Sequence, residues 1–244
     1  MTDWSLKVLG VGRGATHVLS GEPSTSFVLC ADRRPLLWID TGLGSTRACL
    51  RHFAAWPDVW LLTHNHTDHV GELPVLLALS AKGWRRPVIV SESEVGRRLR
   101  QHRMAEHAAW RPADTLAEWL SAAPGVPLAL PTQPPLQVVF RVGVHSEHSA
   151  GFVLSDANGP VLGYTGDSAF DTELYAFVLQ ADCALLDMRE QGNDSHAGFD
   201  RFESGWRDRA WIVGHGLAAP QKYRFPDLPL AFADDVISIG ATRS

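Results

Sequence analysis

Cysteine is scarce in this 244-residue chain. Cys30, Cys49 and Cys183 form an odd set with no C-x-x-C spacing. That excludes a disulfide framework and makes a reducing cytoplasm the expected setting. Long apolar runs are missing too. None reaches the roughly 20 residues that a membrane-spanning helix needs, so no membrane association is expected. The opening residues Met1 to Lys7 carry neither a basic start nor an apolar stretch and do not read as a signal peptide. An excess of positive charge is also absent. A formal net charge of −5 argues against bulk nucleic acid as a partner, because a phosphate backbone needs a broad basic surface. Gly10-Val11-Gly12-Arg13-Gly14 has its third glycine at the wrong spacing for a dinucleotide loop, and no helical pattern follows it.

What remains is ordinary for a globular enzyme, with 45% hydrophobic and 20% charged residues in one expected domain over 1–244. Apolar patterning predicts strands over 6–12, 26–30, 35–40, 59–62, 88–90, 136–144, 151–154, 160–164, 183–187, 211–215 and 235–240. Helices are expected over 45–53 with Ser45 as a cap, and over 73–80, 94–109 and 115–123. Strand after strand ends in an acid or a histidine: Asp40, His64, His145, Asp167, Asp187 and His215. Loops at one end of a rigid sheet are where sites gather. Two β-rich halves with helices outside point to an α+β fold, a four-layer αββα sandwich.

The richest segment is Thr63-His64-Asn65-His66-Thr67-Asp68-His69-Val70-Gly71. Imidazole nitrogen and carboxylate oxygen are donors that zinc and similar divalent ions prefer. Four of them packed into six residues would be costly in a core unless something binds them. In a turn after a strand, His64 and His66 can converge on one ion while Asp68 and His69 face another. His102 and His107 fall in a charged stretch and read as a solvated face, and His17 and His52 as surface. Trp110, Trp206 and Trp211 read as core or rim packing more than as a pocket lining.

The chain resembles the metallo-β-lactamase superfamily nearly end to end. Asp40 in Ile39-Asp40-Thr41-Gly42 resembles its first motif, and His64-x-His66-x-Asp68-His69 its second. Asp167 in Thr165-Gly166-Asp167-Ser168 resembles the fourth, and His215 the fifth, with Gly214 where many relatives have Thr. For the third motif two histidines compete. His145 has the spacing to Gly151-Phe152 of the ribonuclease Z and cyclic-phosphate phosphodiesterase branch, and His148 has the glyoxalase II spacing. The neighbouring residues favour His145. That branch also carries a histidine that contacts the scissile phosphate and assists the leaving group. His196 resembles it, with Asp187, Glu190 and Asp194 competing as its acidic partner.

The resemblance implies two divalent metal ions, with zinc first and manganese or iron as alternatives. One would be held by His64, His66 and His145 (or His148), the other by Asp68, His69 and His215, with Asp167 bridging. Asp68 would also orient the attacking hydroxide, and Asp40 would fix a ligand histidine from behind. The implied function is hydrolysis of a small anionic phosphodiester, with homodimers common among relatives. A thioester, lactone or β-lactam hydrolase is the alternative, and a non-hydrolytic metal protein is a further one. The long glycine-proline arm with which ribonuclease Z grips tRNA is missing, which counts against a tRNA 3′-processing endonuclease.

Overall fold

The computed structural model describes residues 2–80, 82, 85–109, 111–217 and 223–240. Trp110 and part of the loop over 81–87 lie outside the described residues. The first sheet has seven strands. In chain order these are β1 (Trp4–Gly10), β2 (Ser26–Ala31), β3 (Arg34–Ile39), β4 (Val59–Leu62), β5 (Val88–Glu92), β6 (Glu118–Ala122) and, from the far end of the chain, β15 (Val236–Ser238). Their spatial order is β15-β1-β2-β3-β4-β5-β6. The β15-β1-β2-β3 part is antiparallel, and β3-β4-β5-β6 is parallel. The second sheet runs β14-β11-β10-β9-β8-β7. It comprises β7 (Leu128–Leu130), β8 (Leu136–Val142), β9 (Ala150–Asp156), β10 (Gly159–Tyr164), β11 (Cys183–Leu186) and β14 (Ala210–Ile212). A small parallel pair, β12 (Met188–Arg189) with β13 (Ala197–Gly198), sits beside it.

Every residue of β4 and β11 is buried, as expected of parallel strands covered on both faces. Phe27 of the first sheet meets Tyr164 of the second edge to face at 5.5 Å, so the core lies between the sheets. Helices cover the outer faces. Helix α2 (Ser45–His52) packs on β1, α5 (Ser93–Arg98) on β5 and β6, and α7 (Thr172–Val178) on β8 to β11. The others are α1 (Gly14–Ser20), α3 (Thr67–Val70), α4 (Leu73–Ser80) and α6 (Ala113–Leu116). This is the expected αββα sandwich.

Several local expectations change. Residues 115–123 form the end of α6 followed by strand β6, not one helix. Leu116, Trp119 and Leu120 have helical spacing, but pairing with β5 from Val88 through Glu92 claims the segment for the sheet. A helix does follow the glycines at 10–14, although none of its residues is buried, so its apolar pattern was invisible. Helix α2 is capped not by Ser45 but by Glu72, which accepts from the Gly44 and Thr46 N–H groups at 2.7 Å each. His107 is buried, with Nε2 2.9 Å from the Pro74 carbonyl, rather than solvated. Trp206 packs against Tyr175 and Phe202. No described helix is long and apolar enough to cross a membrane.

Candidate metal centre

The strand ends converge. Asp40 follows β3, His64 follows β4, Asp167 follows β10, Asp187 follows β11 and His215 follows β14. His145 lies three residues beyond β8. A bond from Ala150 N–H to the Thr63 carbonyl (3.1 Å) ties the two sheets together at this end.

His64, His66, His145 and Asp167 place one donor atom each within 4.8 Å of one another, as do Asp68, His69 and His215. The separations are close to those of an ion's coordination sphere. His64 Nε2 lies 3.2 Å from His66 Nδ1, and His66 Nδ1 lies 3.0 Å from His145 Nε2. Asp167 Oδ2 is 3.6 Å from His64 Nε2 and 3.7 Å from His145 Nε2. In the second group His215 Nε2 is 2.8 Å from Asp68 Oδ2, and His69 Nε2 is 3.1 Å from Asp167 Oδ1. Tetrahedral ligands at zinc bond lengths stand roughly 3.3 Å apart. The decisive test of fit is polar satisfaction. His69 Nε2 and both oxygens of Asp167 are buried without a hydrogen-bond partner. Buried acceptors left unpaired are costly, and a cation at their meeting point satisfies them together.

Outer contacts fix which nitrogen each ring turns inward. Asp40 is fully buried. It accepts from the Thr63 N–H (2.9 Å) and hydroxyl (2.8 Å) and pairs with His69 Nδ1 at 2.7 Å, leaving His69 Nε2 for the cluster. It holds a left-handed backbone (φ 54°) that Asp tolerates better than most residues. His145 Nδ1 meets the Ser195 carbonyl at 2.9 Å, and His64 Nδ1 meets the Thr63 hydroxyl at 3.1 Å. Gly42 and Gly214 permit the close packing. A Cβ at Gly42 would lie 2.1 Å from the Asp68 carbonyl oxygen, and one at Gly214 1.8 Å from that of Met188. The latter explains glycine before His215: the β12 backbone occupies the space of a side chain.

The electrostatics divide the histidines. Burial and the neighbouring His69 and His145 hold His64 well below the ordinary imidazole value, and burial also lowers His66 and His145. These three are neutral, as ligands must be. Burial works against charge at His215 as well, but Asp167, Asp187 and Asp68 push it up to about 10. His69 is likewise raised, against its burial, by Asp167 and Asp40. Burial would raise Asp68 and Asp187, yet bonds to His215 and His196 hold both far below the usual carboxylate range. Without an ion, protons on His69 and His215 neutralise these carboxylates.

His145 joins the cluster and His148 does not; its Nε2 lies 2.9 Å from Glu92 Oε2. His196 stands between the two groups, its ring 4.9 Å from that of His145 and 4.7 Å from that of His215. Of its three candidate partners Asp187 makes the contact, Oδ2 to Nδ1 at 2.6 Å, while Glu190 pairs with Arg224 and Asp194 is exposed. His196 and Asp187 are also near enough to Asp167 and His215 to form a third donor group. However, Asp187 Oδ2 is engaged by His196 and by the Ser168 N–H at 3.3 Å. The other oxygen of Asp187, Oδ1, is buried without a hydrogen-bond partner. No motif in the sequence marks the supporting roles of Thr63, Ser195 and Glu92. For Glu92 the signal was present, since it too is an acid ending a strand.

The family model described as Beta-lactamase superfamily domain matches residues 37–205. The chain belongs to this superfamily and has its metallo-β-lactamase fold. It is similar to the metallo-β-lactamase fold protein YhfI from Bacillus subtilis, with a TM-score of 0.75 and 14% identity over 97% of this chain and 99% of that one. A diphosphatase of the PhnP family superposes with a TM-score of 0.70 and 17% identity, over 99% of this chain and all of the other. The short form of human tRNase Z gives 0.67 and 17%, over 96% and 99%.

Proposed function

We propose that this chain is a dinuclear metal-dependent phosphodiesterase acting on a small anionic diester, cyclic or nucleotide-like. The His196–Asp187 pair carries the reading. It places an imidazole beside both donor groups, with its Nδ1 already committed to a buried carboxylate. An alkoxide leaving a phosphodiester needs a proton donor, whereas a thiolate leaving a thioester does not.

In this reading His64, His66 and His145 would hold one ion, Asp68, His69 and His215 would hold the other, and Asp167 would contribute to both. Zinc suits these donors best, and manganese or iron fits them too. Divalent ions held there would supply the Lewis acidity that makes hydrolysis feasible near neutral pH. The protein's own residues do the rest. Asp40, Ser195 and Thr63 hold the ligand rings in one tautomer. Asp68 orients the nucleophile. Asp187 keeps His196 turned so that Nε2 is free to protonate the departing oxygen.

The similarity to a PhnP-family diphosphatase supports phosphoryl over acyl chemistry. The net charge of −5 favours a small substrate over tRNA. We also infer a cytoplasmic setting from the scarcity of cysteine and the absence of any C-x-x-C spacing in the sequence. The test is a screen with bis(p-nitrophenyl) phosphate, a cyclic nucleotide, a lactone, a thioester and a precursor tRNA, under added zinc or manganese. Turnover of the small diesters is expected. A metal-loaded protein that cleaves no diester overturns the proposal.

A further inference from the structure

One segment outside the donor groups touches both loops that supply the first of them. It begins at Glu92, the last residue of β5, continues through α5 and ends at Arg103. Glu92 is buried, and its Oε2 accepts from the Glu94 N–H (2.8 Å) and the Val95 N–H (3.1 Å), capping the helix. The same oxygen lies 2.9 Å from His148 Nε2, in the loop that carries His145. Six residues on, Arg98 Nη1 reaches Glu147 of that loop at 2.9 Å. The helix then widens. The Met104 N–H bonds the Leu99 carbonyl at 3.0 Å, five residues back instead of four. A wide turn of this kind re-aims the side chains that follow. Arg103 is the beneficiary: its Nε donates to Asn65 Oδ1 at 3.0 Å and its Nη2 to the Asn65 carbonyl at 2.6 Å. Asn65 sits between His64 and His66.

We infer that Glu92, Arg98 and Arg103 form a positioning clamp that sets the distance between the His64–His66 loop and the His145 loop. The inference rests on the proposed ligand set, and it deepens that reading by naming what spaces it. His66 Nδ1 and His145 Nε2 stand 3.0 Å apart although their residues are 79 positions apart in the chain. The Ala150–Thr63 bond ties the strands behind the two loops, and the helical segment adds a tie between the loops themselves, because it grips one at its start and the other at its end. Arg103 is well suited, since a guanidinium fork bonding one residue through both side chain and carbonyl fixes direction as well as distance. His148 is then an anchor for the loop and not a ligand.

The test is calorimetric titration of the metal-free full chain with zinc, alongside circular dichroism to verify folding. Wild type is expected to take two ions. Arg103→Ala and His148→Leu are each expected to weaken one of the two binding steps about tenfold or more, the scale for loss of an outer contact to a ligand. His148→Gln keeps a donor for Glu92 and is expected to stay near wild type. Arg97→Ala is the control on the same helix, because among the described residues Arg97 hydrogen-bonds to Glu94 and Gln101 of its own segment. Should Arg103→Ala not fold, Asn65→Ala cuts the same link from the other side. Wild-type affinity in both Arg103→Ala (or Asn65→Ala) and His148→Leu overturns the clamp. Loss of an ion in His148→Gln overturns it differently, by making His148 a ligand. If wild type itself binds no zinc, the ligand set fails first and the clamp with it.

Discussion

Replacing Asp40 with asparagine changes almost no volume and puts an N–H donor where one carboxylate oxygen accepts from both the Thr63 hydroxyl and His69 Nδ1. Asp40 receives three donors: the Thr63 N–H, the Thr63 hydroxyl and His69 Nδ1. An amide has one accepting oxygen. With that oxygen kept on the Thr63 N–H, the amide nitrogen faces His69 Nδ1, and two donors meet at 2.7 Å. His69 escapes the conflict by moving its proton to Nε2. That nitrogen lies 3.1 Å from Asp167 Oδ1, where an ion requires a lone pair. Loss of such an outer partner costs about 10- to 100-fold in metal affinity, or roughly 1.4–2.8 kcal/mol. The assay is zinc titration of the metal-free protein near neutral pH, with thermal melts at fixed free zinc as a second readout. Zinc should stabilise Asp40→Asn less than wild type by that same amount, since binding to the native state adds directly to stability. Equal zinc affinity in the two proteins would refute the tautomer argument.

Other predictions follow from the same geometry. His196→Gln should lower turnover of an alkyl-ester phosphodiester by about 10²- to 10⁴-fold while leaving zinc binding intact, but should cost far less with p-nitrophenyl leaving groups, which depart unprotonated; equal losses for both would remove His196 as a proton donor. In the metal-free protein His215 has a folded pKa of about 10, above its unfolded value. It therefore contributes stability that is complete below about pH 6.5 and lost as pH rises through 10. Melts across that range should fall in the metal-free protein and flatten with zinc bound, and a flat metal-free profile would contradict the assignment. Burial pushes the Cys30 and Cys49 thiols up to about 11 and about 12, and Cys183 is buried as well. Alkylation at pH 8 should modify none of the three until denaturant is added, and rapid labelling of the native chain would argue against this core.

Much of the site was legible because its residues end strands. Asp40, His64, Asp167, Asp187 and His215 each follow an apolar run, so their common location needed only the rule that parallel strands deliver their ends to one edge. The sandwich was legible for the same reason: the hairpin β9–β10 and the apolar runs of β4 and β11 carry strong patterns. Contacts closing across the chain were not legible. His148 fits a family spacing as well as His145 does, and only the position of Glu92, 56 residues earlier, assigns it elsewhere. Asp187 could not be chosen over Glu190 or Asp194 until the loop up to His196 was seen to fold back onto β11. Segments with little burial were misread, because exposed α1 has no apolar stripe and edge strand β6 alternates only weakly. An uninterrupted helix over 94–109 would leave His107 in solvent, and the wide turn at Leu99 to Met104 breaks that register.

The central claim, a two-ion phosphodiesterase, is tested most directly by titrating metal-free protein with zinc while following hydrolysis of bis(p-nitrophenyl) phosphate. The account predicts no turnover without metal and a rise that breaks at two equivalents of zinc per chain. Diester turnover that is indifferent to zinc, or that saturates at a single equivalent, would contradict it.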